Sequence, residues 1–165
     1  MKELIRSLAC ALCKALSPPV VAPSEPRPVT NFTLISRDDF LAKLAPLGII
    51  PISLLTPLDS QLSVVDKATL DTLAPYLTFA ADLYVNDIAD CEDYAIEAQS
   101  KASFKYHVSG IRLALGQSPL GYHGFALALD TDGNIWLMEP NAGFPYAGGW
   151  FKIGDNSYIP DKVFV

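Results

Sequence analysis

Three side chains that together suit nucleophilic chemistry occur in the order Cys91, His123 and Glu139. A thiol nucleophile needs a base to take its proton, and the base needs a polar partner to orient its ring. The apolar runs on either side of the turn 130–134 predict a hairpin. Folding that hairpin places His123 and Glu139 opposite each other, as cross-strand neighbours. The spacing therefore predicts a thiol with its base and its orienting carboxylate.

The segment around Cys91 predicts the first turn of a helix, because a stripe of apolar residues follows it at spacings of three and four. A helix N-terminus favours a thiolate through its free N–H groups and its dipole. The backbone N–H of Cys91 could stabilise an oxyanion, and Asn86 is the candidate for a second donor. If Glu92 and Asp93 face the thiol, their negative charge opposes the thiolate. If they cap the helix and point away from the thiol, this effect is small.

Two aromatic residues near this set are candidates for substrate binding, namely Tyr122 and Trp150. Trp150 ends a glycine-rich and aromatic segment that directly follows Glu139. Flat aromatic surfaces suit contact with a peptide or a glycan. The alternative, that this segment closes the bottom of the core, stays open.

Three short segments together resemble a known superfamily: Asp90-Cys-Glu-Asp-Tyr-Ala95, Gly121-Tyr-His-Gly-Phe-Ala126 and Ile135-Trp-Leu-Met-Glu-Pro-Asn141. They resemble the papain-like and transglutaminase-like cysteine peptidases, most closely the bacterial transglutaminase-like proteinases and the C-terminal protease domain of the Marasmius agglutinin. The resemblance implies an α+β fold in which the nucleophile-bearing helix packs on an antiparallel half-barrel. It implies Cys91 as nucleophile, His123 as base and Glu139 as orienting residue, with hydrolysis or transfer at an amide.

The favoured function is therefore that of a cysteine peptidase or amidase with a peptide or protein substrate. An alternative is a catalytically silent papain-like module, docked to a larger assembly by its N-terminal helix. The acidic shell around Cys91 and the short chain before it favour that alternative. A third hypothesis is a peptidoglycan-directed amidase, since such enzymes also place Cys before His in the chain.

No cofactor or metal site is predicted from the residues themselves. The resemblance to the agglutinin implies calcium, and Asp130-Thr-Asp-Gly-Asn134 could place oxygens around a cation. The segment lacks the twelve-residue loop and distal Glu of an EF-hand, so a simple Asp-Gly turn is the favoured interpretation. Cys10 and Cys13 have redox or half-zinc spacing, but no second pair accompanies them.

The composition excludes some partners. A net charge of −6 and scattered basic residues argue against nucleic-acid binding. Three cysteines do not form a disulfide framework, so we expect reduced thiols and a cytoplasmic or assembly-associated location rather than secretion. The sequence contains no run of eighteen or more apolar residues, so no transmembrane span is predicted.

Three regions are predicted along the chain. Residues 1–17 predict an amphipathic helix that binds a protein partner, with an unusual export signal as the alternative. Residues 18–30 are proline-rich and predict a semi-rigid linker or a tail that wraps the domain surface. Residues 31–165 predict the papain-like domain, with helices first and antiparallel strands second. Its helices are predicted near 36–44, 65–73, 78–87 and from 91, with buried irregular chain over 47–57 and strands after 108.

Overall fold

A computed structural model describes residues 24–53 and 60–165. The helices are α1 (Arg37–Leu44), α2 (Lys67–Leu73) and α3 (Cys91–Tyr106). The strands are β1 (Thr33–Ser36), β2 (Ile50–Ile52), β3 (Gln61–Val64), β4 (Ile111–Ser118), β5 (Gly121–Leu129), β6 (Ile135–Met138), β7 (Trp150–Phe151) and β8 (Ile159–Phe164). Short 3₁₀ turns occur at Ala45–Leu47, Ala74–Tyr76, Ala81–Leu83 and Asp155–Ser157.

Six of the strands form one mixed sheet in the order β2-β8-β4-β5-β6-β7. β2 runs parallel to β8, and the other neighbouring pairs of this sheet are antiparallel. β1 and β3 form a separate two-stranded antiparallel sheet. β5 is therefore an interior strand, paired with β4 on one side and β6 on the other.

The interior strand β5 is buried on both faces, which explains its continuous apolar sequence. Ala126 and Ala128 face the cluster that contains Ala98 and Ala102 of α3. The alternate residues of β5, beginning with Phe125, face a second cluster on the other side of the sheet. Small alanines on both α3 and β5 allow a close approach, and this packing holds the start of α3 against the sheet.

The predicted α+β, papain-like class is wrong, because the described chain is mainly sheet. β1, β2 and β3 precede α3, where helices and irregular chain were expected. The predicted helix 78–87 is also wrong, since this segment forms one 3₁₀ turn and takes part in two isolated bridges. Its residues Leu83 and Val85 are exposed, so no buried stripe is present to stabilise a helix there.

Several local predictions are confirmed. α3 begins at Cys91, and β5 and β6 form the predicted hairpin. α1 is capped by Ser36, whose hydroxyl accepts a hydrogen bond from the N–H of Asp39. The helix predicted from residue 65 begins instead at Lys67, after the cap residue Asp66.

Some predictions lie outside the described residues. They are the helix 1–17, with Cys10 and Cys13, and the parts of the linker and the irregular chain that fall in 18–23 and 54–57. Within the described ranges, no helix is both long enough and apolar enough to cross a membrane.

Candidate functional site

His123 and Glu139 form a buried pair at one end of the β5–β6 hairpin. The Nε2 atom of His123 lies 2.6 Å from Oε2 of Glu139. The sequence predicted that the two residues lie directly opposite each other. They do not, because β5 and β6 pair Ala126 with Met138. One position further along, Glu139 lies opposite Phe125, so His123 is its diagonal neighbour. Diagonal neighbours on the same face of a sheet are within reach of long side chains, and the pair forms despite the difference in register.

The carboxylate of Glu139 is fully buried and has three hydrogen-bond donors. In addition to His123, the hydroxyl of Tyr158 donates to Oε2 at 3.0 Å. The backbone N–H of Asn141 donates to Oε1 at 2.9 Å. Charge-assisted hydrogen bonds of this kind stabilise a buried carboxylate and fix its position. Glu139 therefore holds the imidazole ring of His123 in one orientation.

Cys91 is brought next to His123 by the close approach of α3 to β5 at Gly124. A Cβ at position 124 would lie 2.9 Å from the Cα of Glu92 and 3.2 Å from the carbonyl carbon of Cys91. Only glycine fits at this separation without moving the helix. Cys91 and His123 therefore line the same groove, and the interaction of the imidazole with the Cys91 side chain contributes to the pKa of His123.

The surroundings of His123 favour its protonated form. Burial lowers the pKa of His123, but the side-chain interactions with Cys91 and Glu139 and the negative charge of Glu139 act in the other direction. Together they raise the pKa of His123 from 6.5 to about 9. The imidazole is therefore a cation at neutral pH, placed between a carboxylate and a thiol.

Carboxylates surround the thiol on its solvent side. Sγ of Cys91 donates a hydrogen bond to Oε2 of Glu92 at 3.2 Å. The hydrogen bond between Glu92 and Asp90 raises the pKa of Asp90 and lowers that of Glu92. Asp93, in contrast, accepts a hydrogen bond from the backbone N–H of Asp90 at 3.2 Å and so caps the helix. Of the two arrangements left open by the sequence, Asp93 adopts the capping one and Glu92 faces the thiol.

An open groove of about 540 Å³ lies beside Cys91 and His123. Its walls come from α3, β4, β5 and the end of β8. Tyr122 stands at its mouth, half exposed, and its hydroxyl donates to Asp161 and accepts from Lys162. The lining residues are Cys91, Glu92, Ile96, Gln99, Leu113, Leu115, Tyr122, His123, Gly124 and Phe164. A mainly apolar groove with a few convergent polar groups is typical of a small-ligand site.

Two of the predicted site residues lie elsewhere. Asn86 is exposed, donates to the carboxylate of Asp87 at 2.7 Å and does not line the groove. Trp150 is buried in the core, where its indole N–H donates to the carbonyl of Leu70 at 2.8 Å. For Trp150 the structure therefore shows the alternative in which the aromatic residue closes the core.

Two residues at the site were missed from the sequence. Tyr158, the residue before β8, binds Glu139, and Phe144 stacks on the His123 ring with centroids 4.8 Å apart. No local pattern marks either residue, because both contacts depend on how the last third of the chain packs. The aromatic content of the segment after Glu139 was the only available signal for Phe144.

Oxygen atoms that could bind a metal are grouped at two places in the described chain. The carboxylate of Asp130 accepts hydrogen bonds from the backbone of Asp132 and Asn134 and from the indole of Trp136, which makes it part of the turn. Ligand atoms of Asp90, Cys91 and Glu92 lie within 4.8 Å of one another. Exposed acidic groups often cluster in this way without a metal, and the absence of a cofactor, with calcium as the weaker alternative, stays a prediction.

No protein-family model and no curated protein sequence matches this chain. Solved structures with a similar fold include two complexes. The first is a complex of PSL1a with E64, with a TM-score of 0.57. The second is Polyporus squamosus lectin bound to the human-type influenza-binding epitope Neu5Aca2-6Galb1-4GlcNAc, with a TM-score of 0.55. Each is 13% identical over 80% of this chain. The chain spans about half their length, 51% and 49% respectively.

These neighbours correct the assignment made from the short segments. The structures are those of a lectin, so the predicted membership of the papain-like cysteine peptidases is wrong. The predicted function and enzyme class, a cysteine peptidase or amidase with a peptide substrate, are wrong on the same finding. The alternative hypothesis, a catalytically silent papain-like module docked to a larger assembly, is not supported by these neighbours either. Three short segments set a local Cys–His–Glu geometry, but they determine neither the surrounding fold nor the ligand.

Proposed function

We propose that this chain is a carbohydrate-binding module whose ligand lies in the groove beside Cys91 and His123. The observation that carries the proposal is the groove itself, in which apolar walls meet a short row of polar side chains. A sugar ring presents both apolar C–H faces and hydroxyl groups, so it suits such a surface. The likeness of the fold to a glycan-bound lectin supports the same ligand class.

The carboxylates around the groove favour a neutral saccharide over an anionic one, since the positive charge of His123 is paired with the buried Glu139. Glu92 lines the groove and Asp161 lies at its mouth, beside Tyr122. Lys162 is engaged by both Tyr122 and Asp161. Because like charges repel across a partly desolvated site, a carboxylate on the ligand is disfavoured next to Glu92. Tyr122 supplies an exposed aromatic face and a hydroxyl, the two features used for contact with a sugar ring.

The test is a calorimetric titration of the full chain with neutral Galβ1-4GlcNAc and with the sialylated trisaccharide of the lectin complex. We expect measurable binding of the neutral disaccharide and at least tenfold weaker binding of the trisaccharide. Tyr122→Ala should weaken the binding about tenfold, which corresponds to about 1.4 kcal/mol. The control is Phe104→Ala, since Phe104 is exposed on α3 outside the groove. Absence of binding to both saccharides, or equal affinity in the Tyr122 variant, overturns the proposal.

We also propose that Cys91, His123 and Glu139 act as one unit, a nucleophilic thiol with its imidazolium and orienting carboxylate. Their hydrogen bonds and the raised pKa of His123 support this role. A cationic imidazole stabilises the thiolate form of a neighbouring cysteine, and the thiolate is the reactive species. Glu92 acts in the opposite direction, because its Oε2 accepts the hydrogen bond of the thiol, 3.2 Å from Sγ, and its negative charge opposes a thiolate.

The probe for the thiol is iodoacetamide, which forms an Sγ–C bond as iodide leaves. Mass mapping after partial reaction compares Cys91 with Cys10 and Cys13 in the same chain. We expect Cys91 to react about tenfold faster at pH 6, where ordinary thiols are protonated. His123→Gln should abolish this difference while the circular dichroism spectrum shows a folded chain. Equal rates for the three cysteines in the wild-type protein would sink the proposal.

A further inference from the structure

The groove beside Cys91 contains a second polar position, Gln99, at some distance from the thiol. Gln99 follows Cys91 by eight residues on α3, and both line the groove. Eight residues of an α-helix rise about 12 Å, so the two side chains lie about two turns apart. A span of this length exceeds a single sugar ring. A ligand that reaches from the thiol to Gln99 therefore has at least two rings.

One hydrogen bond fixes the orientation of the Gln99 side-chain amide. The backbone N–H of Leu113, on β4, donates to Oε1 of Gln99 at 2.8 Å. A backbone N–H can bind only the oxygen of a side-chain amide, so this contact also identifies which end of the amide carries the amino group. The amino group, Nε2, points away from the backbone of β4. Gln99 is thus held in place by the sheet through its acceptor alone.

The donor end of Gln99 is left available. Within residues 24–53 and 60–165, the bond from Leu113 is the one hydrogen bond of this side chain. Nε2 is not sealed in the interior, so solvent or a ligand can reach it. Because Oε1 is already engaged, the side chain presents N–H donors and no free acceptor to the groove. A ligand group that binds here must therefore supply an acceptor.

Apolar side chains border Gln99 in the groove. Leu113 of β4 and Phe164 of β8 both line it. They lie opposite each other, one position beyond the paired Ala114 and Val163. A donor beside an apolar wall suits a group that joins a carbonyl oxygen to a methyl, which is the structure of an acetamido group. A sugar hydroxyl would satisfy the donor but would leave the apolar wall without a contact.

We infer that Gln99 selects an N-acetylhexosamine, an inference that rests on the saccharide-binding function proposed above. Its amino group donates to the acetamido carbonyl oxygen, and the acetamido methyl packs against Leu113 and Phe164. Gln99 is then the residue that determines specificity, whereas the ring and hydroxyl of Tyr122 suit any neutral sugar. A site with a fixed donor discriminates against an analogue that lacks the acceptor, because the donor loses its partner.

Calorimetric titration of the full chain with two matched disaccharides tests the inference. GlcNAcβ1-4GlcNAc and Glcβ1-4Glc have the same linkage and differ only in their acetamido groups. We expect the acetylated disaccharide to bind at least tenfold more tightly. Equal affinities overturn the inference and leave the proposed saccharide site in place. Absence of binding to both, and to Galβ1-4GlcNAc, overturns the inference and the proposed function together.

The variant Gln99→Glu separates specificity from structure. The carboxylate still accepts the hydrogen bond of Leu113, but the N–H donors are lost. We expect about tenfold weaker binding of GlcNAcβ1-4GlcNAc and no weakening for Glcβ1-4Glc. Protection of the Leu113 amide from hydrogen exchange should be retained, which reports that the structural bond survives.

The matched control is Gln117→Glu, which makes the same change at an exposed position of β4 outside the groove. This variant should keep both affinities. In Gln99→Glu, a parallel loss of affinity for both disaccharides would show a merely structural role and overturn the inference. Unchanged affinity for GlcNAcβ1-4GlcNAc overturns it as well.

Discussion

The two sides of His123 differ in how their carboxylates are held. On the inner side, Glu139 is fully buried and accepts three hydrogen bonds from the protein. On the outer side, Glu92 is exposed, shares a hydrogen bond with Asp90 and accepts the weak S–H donor of Cys91. Buried charges that lose a partner are costly, whereas exposed ones are solvated by water. The inner carboxylate therefore determines the position of the imidazole, and the outer one only adjusts the reactivity of the thiol.

Removal of the inner carboxylate should have the largest effect. Glu139→Ala leaves the His123 imidazolium buried without a counter-ion, and we expect a loss of about 3–5 kcal/mol in the free energy of unfolding. Urea denaturation at pH 7 measures this loss. Glu97→Ala, which removes an exposed carboxylate of α3, is the control and should change stability by less than about 0.5 kcal/mol. A similar small effect at Glu139 would contradict the assigned role of the inner side.

The pH dependence of stability provides a second test of the role of Glu139, because this carboxylate stabilises the protonated form of His123. The pKa of His123 is raised from 6.5 to about 9, so its contribution is fully present below pH 6.5 and disappears as the pH rises through 9. A shift of this size corresponds to at most about 3 kcal/mol. Denaturation curves at pH 6, 7.5 and 9 should show decreasing stability in the wild-type chain. The slope should be lost in Glu139→Gln, and a flat wild-type profile would refute the raised pKa.

Substitution of Gly124 tests whether the close approach of α3 to β5 is needed to hold Cys91 beside His123. A methyl group at this position meets the backbone of Glu92 and Cys91, so Gly124→Ala should cost about 1–3 kcal/mol and move the start of α3 away from β5. Gly149→Ala is a matched control, because a Cβ there has no neighbour within 4 Å. Thermal melts and the iodoacetamide rate at Cys91 are both measured. Unchanged values for both in the Gly124 variant would show that the close approach is not required.

Neutralising the outer carboxylate should have the smallest effect on stability. Glu92→Gln removes a charge that opposes the thiolate, while the side chain keeps its size. We expect a change below about 0.5 kcal/mol in stability, because Glu92 is exposed. The alkylation rate of Cys91 at pH 6 should rise severalfold. A large loss of stability, or a slower reaction, would show that Glu92 acts structurally rather than on the thiol.

The local features of the site were predictable from short stretches of sequence. The stripe that follows Cys91 predicts α3, and the apolar runs around residues 130–134 predict the hairpin; the structure contains both. The predicted register of the β5–β6 hairpin was wrong, because its loop spans five residues between the paired Leu129 and Ile135. A shift by two positions keeps side chains on the same face, which is why His123 still reaches Glu139.

The long-range features were not predictable in the same way. The early strands were missed because β2 and β3 are only three and four residues long and pair with strands that are not their neighbours in the chain, β2 with β8 and β3 with β1. The segment 78–87 has helical composition without the buried stripe that stabilises a helix. The superfamily assigned from three short segments failed at the level of fold, since a few residues around a site place little constraint on the remaining chain.

The sequence by itself determined the start of α3 at Cys91, the hairpin that carries His123, and the order of thiol, imidazole and carboxylate. These depend on spacing between neighbours in the chain, so propensity and periodicity suffice. Only the tertiary structure decided that Tyr158 binds Glu139, that Trp150 is buried, and that Glu92 rather than Asp93 faces the thiol. The first two outcomes depend on the packing of segments distant in sequence, for which no local pattern carries information, whereas the third depends on the hydrogen bonds formed within the first turn of α3.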